Sequence, residues 1–134
     1  MSRVVPDEVW AILTVWQEAR GEEFDGKVAV ARVIRNRMLK RWSGSGDVVD
    51  TVLAPSQFSG WNTSDPNRRT SARLDDMDQH YLDCAKAWSV SAMSEGGVDD
   101  AVFYYAPASV PVPPSWAMPE KLTAIVGRHH FFRA

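Results

Sequence analysis

Glu18-Ala19-Arg20-Gly21-Glu22 sets a carboxylate at the point where a helix should stop, and it is here that chemistry is most readily placed on this chain. Pro6 suits a first helical position, Asp7 and Glu8 put negative charge at the positive end of the macrodipole, and Gly21 can take the left-handed conformation that closes a helix. These signals predict a helix over residues 6–20. At about 100° per residue, Val9, Ile12, Leu13 and Trp16 gather in one apolar sector with Ala19 at its edge. Glu18 falls nearly opposite that sector, beside Thr14 and Ala11. The ordinary explanation is a solvated glutamate, since Glu is rarely buried unpaired. The sharper one is that the carbonyls of the last turn, with Glu22 and Glu23 if close, disfavour ionisation of Glu18. A general acid needs that property near neutral pH. If another segment covers this face, Glu18 becomes a proton donor at a cleft wall.

The same motif, followed by Gly26-Lys27-Val28-Ala29-Val30-Ala31-Arg32-Val33-Ile34-Arg35-Asn36-Arg37, resembles the core signature of the SleB-like cell wall hydrolases, the spore cortex-lytic family. Gln57-Phe58-Ser59, Trp116 and Gly127-Arg128-His129-His130-Phe131-Phe132 resemble later blocks of that family in the same order, from about residue 10 to residue 133. Departures are Arg128, where members often carry Asn, and His130, where they often carry a small aliphatic residue. The resemblance implies a lysozyme-like domain that cuts between N-acetylmuramic acid and N-acetylglucosamine, with Glu18 as acid/base.

The elements around the motif fit that expectation. The 134 residues, with an apolar share of 45%, suit one catalytic domain over 1–134 with a core of its own. A second helix is predicted from Asp25 as N-cap to about Arg41, with Val30, Ile34 and Met38 on one stripe and Val33 beside it. Its cations Lys27, Arg32, Arg35, Arg37, Lys40 and Arg41 read first as a solvated face. Residues 42–71 form a long polar loop interrupted by a short helix capped by Asp47, and a loop of that length in a small domain usually has a function. A third helix is expected over residues 72–94, its Leu74, Met77, Tyr81, Cys84, Ala85, Trp88 and Ala92 serving as core, with Gly96-Gly97 ending it. The period then changes. Residues 101–105, 122–126 and 129–132 read as strands, the last two joined by a Gly127-Arg128 turn of type II′. The fold class expected is therefore α+β, mainly helical, with a small three-stranded antiparallel sheet, and a proline-rich loop carrying Trp116.

Sugar rings present apolar C–H faces that aromatic side chains match, while amides satisfy hydroxyl and N-acetyl groups. Gln57, Phe58, Ser59, Trp61, Tyr104, Tyr105, Trp116 and His129 are the substrate-binding candidates, Gln57 and Tyr105 foremost. For each aromatic a core position is an equal alternative, and His129 equally reads as a hydrogen-bonding packer between sheet and helix. Six tryptophans in so short a chain favour two of them lining a groove.

Other chemistries find little support. His129 and His130 are adjacent on a strand and point to opposite faces, His80 is remote, and one cysteine leaves too few ligands for a closed zinc site. No metal or cofactor is expected. Cys84 reads as a buried, unreactive helix position, and no phosphate loop or nucleophile elbow is present. A net charge of −2 argues against nucleic-acid binding by phosphate neutralisation. No apolar run suits a signal peptide or membrane span, so the expectation is cytoplasmic synthesis, no membrane insertion and a monomer acting on peptidoglycan glycan strands. A phage endolysin released through a membrane hole, or a virion-borne one, fits that picture.

Three functions compete. With no second carboxylate in an equally persuasive context, a lytic transglycosylase using one glutamate is favoured. A hydrolytic muramidase of the same fold is its near neighbour, and a catalytically silent wall-binding or virion structural domain is the distant rival.

Overall fold

The structure is a computed structural model that describes residues 6–54, 58–61, 65, 66, 68 and 78–134. Helices α1 (Asp7–Ala19), α2 (Phe24–Leu39), α3 (Val48–Leu53) and α4 (Gln79–Ser91) precede strands β1 (Phe103–Tyr105), β2 (Leu122–Val126) and β3 (His129–Phe132). Single 3-10 turns lie at Ser59–Trp61 and Pro119–Lys121. The α+β class and the three-stranded antiparallel sheet are as expected, with strand order β1-β3-β2.

Helix α1 is the centre of the molecule, touching α2, α3, α4 and the turn at Ser59–Trp61. Its burial is wider than the predicted sector: Ala11, Thr14, Val15 and Gln17 are buried along with Ile12 and Trp16. The reason is the segment after α3. Trp61 packs on Trp10 with ring centroids 5.3 Å apart, its Nε1 donates to Thr14 Oγ1 at 2.8 Å, and Gly60 lies so close to the Gln17 side chain that a Cβ would not fit. The face that carries Glu18 is thus covered over its first two turns.

Helix ends depart from the sequence reading in instructive ways. Pro6 is the N-cap of α1 and not its first residue, and Gly21 does not use a positive φ. Lys27 closes α1 instead: 5% exposed, its ammonium donates to the carbonyls of Arg20 (3.2 Å) and Glu22. Asp25 sits in the first turn of α2, and Glu23 holds the cap position without a side-chain bond. Asp47 caps α3 as predicted, accepting from the N–H groups of Val49 and Asp50. Helix α4 begins after its cap Asp78 and ends at Ser91, so it is shorter than 72–94; residues 69–77, including Leu74 and Met77, lie outside the described residues.

Of the six cations expected to form a solvated face, Lys40 and Arg41 are exposed beyond the end of α2, but Lys27, Arg32, Arg35 and Arg37 are not solvated in this way. Arg35 donates to Trp88 O (2.6 Å) and Ser91 Oγ (2.7 Å) and lies over the Trp88 ring, while Arg32 donates to Ser91 O at 3.0 Å. These bonds satisfy the end of α4, where the helix dipole is negative. On another side of α2, Asn36 Nδ2 donates to the carbonyls of Asp99 and Ala101, and Arg37 Nε to that of Val102 at 2.7 Å. Strand β1 therefore starts at Phe103 and not at Ala101, because side chains of α2 occupy the carbonyls that a ladder would need.

Candidate active site

Strand alternation decides which side chains of β1 meet α1. Tyr104 pairs with Phe131 and faces the helices, whereas Phe103 and Tyr105 pair with Phe132 and His130 and face the proline loop. Tyr104 Oη donates to Glu18 Oε1 at 2.6 Å, joining residues that are 86 apart in sequence. Burial raises the Glu18 carboxyl above its ordinary value, against the Tyr104 hydrogen bond and the Arg37 charge that favour the carboxylate; the negative charge of Asp65 adds to the rise. The Tyr104 hydroxyl is pushed well up, first by burial and then by Glu18. Arg37 is 6% exposed, and its guanidinium lies 4.7 Å above the Phe58 ring. The result is a protonatable carboxyl on a rigid helix with one neutral donor and one fixed cation nearby, ready to stabilise the negative charge left when the proton departs.

The direction expected for Glu18 holds, but its cause differs. Desolvation dominates, and the charge that adds to it is that of Asp65. Glu22 turns the other way: its carboxylate accepts from Arg128 N (3.3 Å) and Arg128 Nε (3.2 Å), and His129 Nδ1 lies 2.8 Å from its Oε1. Burial alone would raise it; the bonds from Arg128 and the charge of His129 outweigh that and hold it below the usual carboxylate range.

The other candidate residues separate into groups. Trp61 lies along the Glu18 face of α1, over Thr14, one turn before the carboxyl. Phe58 is 2% exposed and belongs to the core beneath Arg37, so its ring supports the site from behind and is closed to a ligand. His129 is likewise committed inward: 12% of its side chain is exposed, and its ring meets Tyr104 edge-on at 5.2 Å. This geometry is that of the packing alternative. Tyr105 and Trp116 are on the far side of the sheet, where Trp116 stacks on Phe103 at 4.7 Å and meets Tyr105 at 5.7 Å. Gln57 and the side chain of Ser59 lie outside the described residues.

Three residues near Glu18 escaped the sequence reading. Trp10, Thr14 and Glu18 share one face at i, i+4 and i+8, and that spacing could have drawn attention to Trp10. Arg37 was hidden among its neighbouring cations. Asp65 carries no local signal at all.

Glu18 thus stands partly buried at the end of a central helix, faced by a small antiparallel sheet. The chain belongs to the cell wall hydrolase family, whose model matches residues 21–132 and so begins three residues after Glu18. The spore cortex-lytic enzyme of Bacillus subtilis (strain 168) is 29% identical over 120 residues, covering 87% of this chain and 34% of that enzyme. The chain thus spans about a third of the length of this curated relative. In fold it is similar to the catalytic domain of the germination-specific lytic transglycosylase SleB from Bacillus anthracis (TM-score 0.74, 21% identity, 99% of both chains). It is equally similar to the catalytic domain of the Bacillus cereus SleB protein (TM-score 0.73, 20% identity, 99% of this chain and 94% of that one). Among the described residues no helix is long and apolar enough to cross a membrane.

Proposed function

We propose that this domain cleaves peptidoglycan between N-acetylmuramic acid and N-acetylglucosamine as a lytic transglycosylase, with Glu18 as the single acid/base. The observation that carries the reading is the partly buried, Tyr104-bonded Glu18 carboxyl, which desolvation raises. Glu18 gives its proton to the glycosidic oxygen, and the bond to the muramyl C1 breaks with an oxocarbenium-like carbon. The carboxylate left behind is stabilised by the Tyr104 hydroxyl and the Arg37 charge. It then takes the proton of the muramyl 6-hydroxyl as that oxygen closes on C1, which yields an anhydro-muramyl end and restores the acid. Trp61 over Thr14, one turn before Glu18, and Trp10 packed on it a turn further back offer an aromatic wall for sugar faces along the same face of α1.

Mass spectrometry of digests of purified peptidoglycan tests the reading. The expected fragments are one water lighter than hydrolytic ones, and Glu18→Gln abolishes their release; clearing that survives the substitution removes Glu18 from the mechanism. A wild-type protein that binds walls and releases nothing would instead favour a silent binding domain.

One observation favours the hydrolytic alternative: Asp65 is close enough for its charge to act on Glu18, and a second carboxylate could activate water. Reducing-end products that disappear with Asp65→Asn would establish that route. The endolysin role extends the proposal from glycan to cell, and lysis of permeabilised bacteria by the purified protein tests it.

A further inference from the structure

Glu22 occupies a slot built for it. Gly26 and Gly127 flank the side chain: a Cβ at Gly26 would stand 2.9 Å from Glu22 Cβ, and one at Gly127, whose φ is +58°, would stand 3.2 Å from Glu22 Oε1. Glu22 is 9% exposed, and Lys27 holds its backbone carbonyl. His129 Nδ1 lies 2.8 Å from Glu22 Oε1, out of line for a well-aligned hydrogen bond, and because a carboxylate can only accept, so close an approach favours a proton on Nδ1. The Glu22 carboxylate thus bears on one edge of the ring, which stands at 89° to the Tyr104 ring with centroids 5.2 Å apart. Tyr104 in turn donates to Glu18.

We propose that Glu22 and His129 are positioning residues for the acid: Glu22 sets the imidazole, the imidazole edge sets Tyr104, and Tyr104 holds the Glu18 carboxyl in its productive orientation. The two glutamates of the motif then divide their labour. Glu18, faced by Tyr104, Arg37 and Asp65, is biased by burial toward the protonated form. Glu22, faced by Arg128 and His129, is biased toward the carboxylate, and burial lowers His129 against the pull of its acidic partner. Environments that push two carboxyls in opposite directions are the means by which one site separates an acid from a fixed anion. A role confined to pinning the hairpin would need a salt bridge to Arg128 alone; it would not need an imidazole laid edge-on against the residue that touches the acid.

The inference rests on the function proposed above, and the experiment separates the two. Initial rates on defined glycan strands are measured over a pH series for Glu22→Gln, His129→Asn and Glu18→Gln, each also combined with Tyr104→Phe, with thermal unfolding alongside. Positioning through Tyr104 predicts kcat about tenfold lower for Glu22→Gln and His129→Asn with KM unchanged, an alkaline limb moved to higher pH, and no further loss when either is added to Tyr104→Phe. Unchanged kcat and pH profile in folded variants, or the same loss in both backgrounds, overturns it. Glu18→Gln that remains active overturns the proposed function itself. Glu22→Asp keeps the charge but withdraws it from His129, and is read on the same assays if Glu22→Gln fails to fold. The wild type gives a further readout: 15N shifts must show the neutral His129 proton on Nδ1, and the other tautomer defeats the inference.

Discussion

A carboxyl proposed to deliver a proton near neutral pH has to be biased against ionising, and burial pushes Glu18 in that direction while the Tyr104 bond opposes it. Two outcomes follow at this scale. Because its folded value lies above the unfolded one, Glu18 costs the fold nothing while protonated and destabilises it as pH rises through that raised value. Glu18→Gln is therefore expected to lose activity roughly 100- to 10,000-fold while becoming more stable than wild type, by about 1 kcal/mol, at neutral and alkaline pH; urea titrations at pH 5 and pH 8 check the sign. Tyr104→Phe removes a bond that favours the carboxylate, so the Glu18 carboxyl rises further. Its pH–rate profile should show a lower maximum and an alkaline limb displaced upward. The motif made Glu18 legible, but its environment was not. The groups that tune it, Tyr104, Arg37 and Asp65, come from a strand, another helix and a loop, and no periodicity within α1 points to them.

Among the elements, turn and cap chemistry was readable where a single residue decides it. Asp47 at α3 and the Gly127 turn are examples, Gly127 taking the positive φ that a type II′ turn needs first. It failed where a distant side chain intervenes. Gly21 is spared its expected conformation because Lys27 reaches back across the corner between α1 and α2. The basic run of α2 looked solvated because sequence cannot show that the carbonyls of α4 and of residues 99–102 lie within reach. Lys27→Met leaves two carbonyls without their donor and is expected to cost about 1–3 kcal/mol in urea unfolding. Asp47→Ala should cost about 1 kcal/mol.

For the whole molecule, α2 acts as the spine. Arg32 and Arg35 tie it to α4, while Asn36 and Arg37 tie it to the entry of the sheet. Fold class and strand number followed from the change of period after Gly97, since helical and strand spacing differ locally. The placement of the sheet against α1 did not, because it depends on pairing across more than 80 residues. Cys84 reports on the integrity of this packing. It is fully buried in the core, and burial pushes its thiol up to about 12, so alkylating reagents should modify it only as fast as the protein unfolds globally. Labelling much faster than unfolding would mean that α4 detaches on its own.

The clasp of Glu22 on Arg128 and His129 has a practical corollary for anyone engineering this domain. Hairpin tips are ordinarily the first choice for grafting affinity tags or fusing cargo, since they tolerate added chain. Here the Gly127-Arg128 tip is fastened through Glu22 to the corner that follows Glu18. Payloads belong in the proline-rich segment around Val112, which is 77% exposed, where additional residues would leave that fastening untouched.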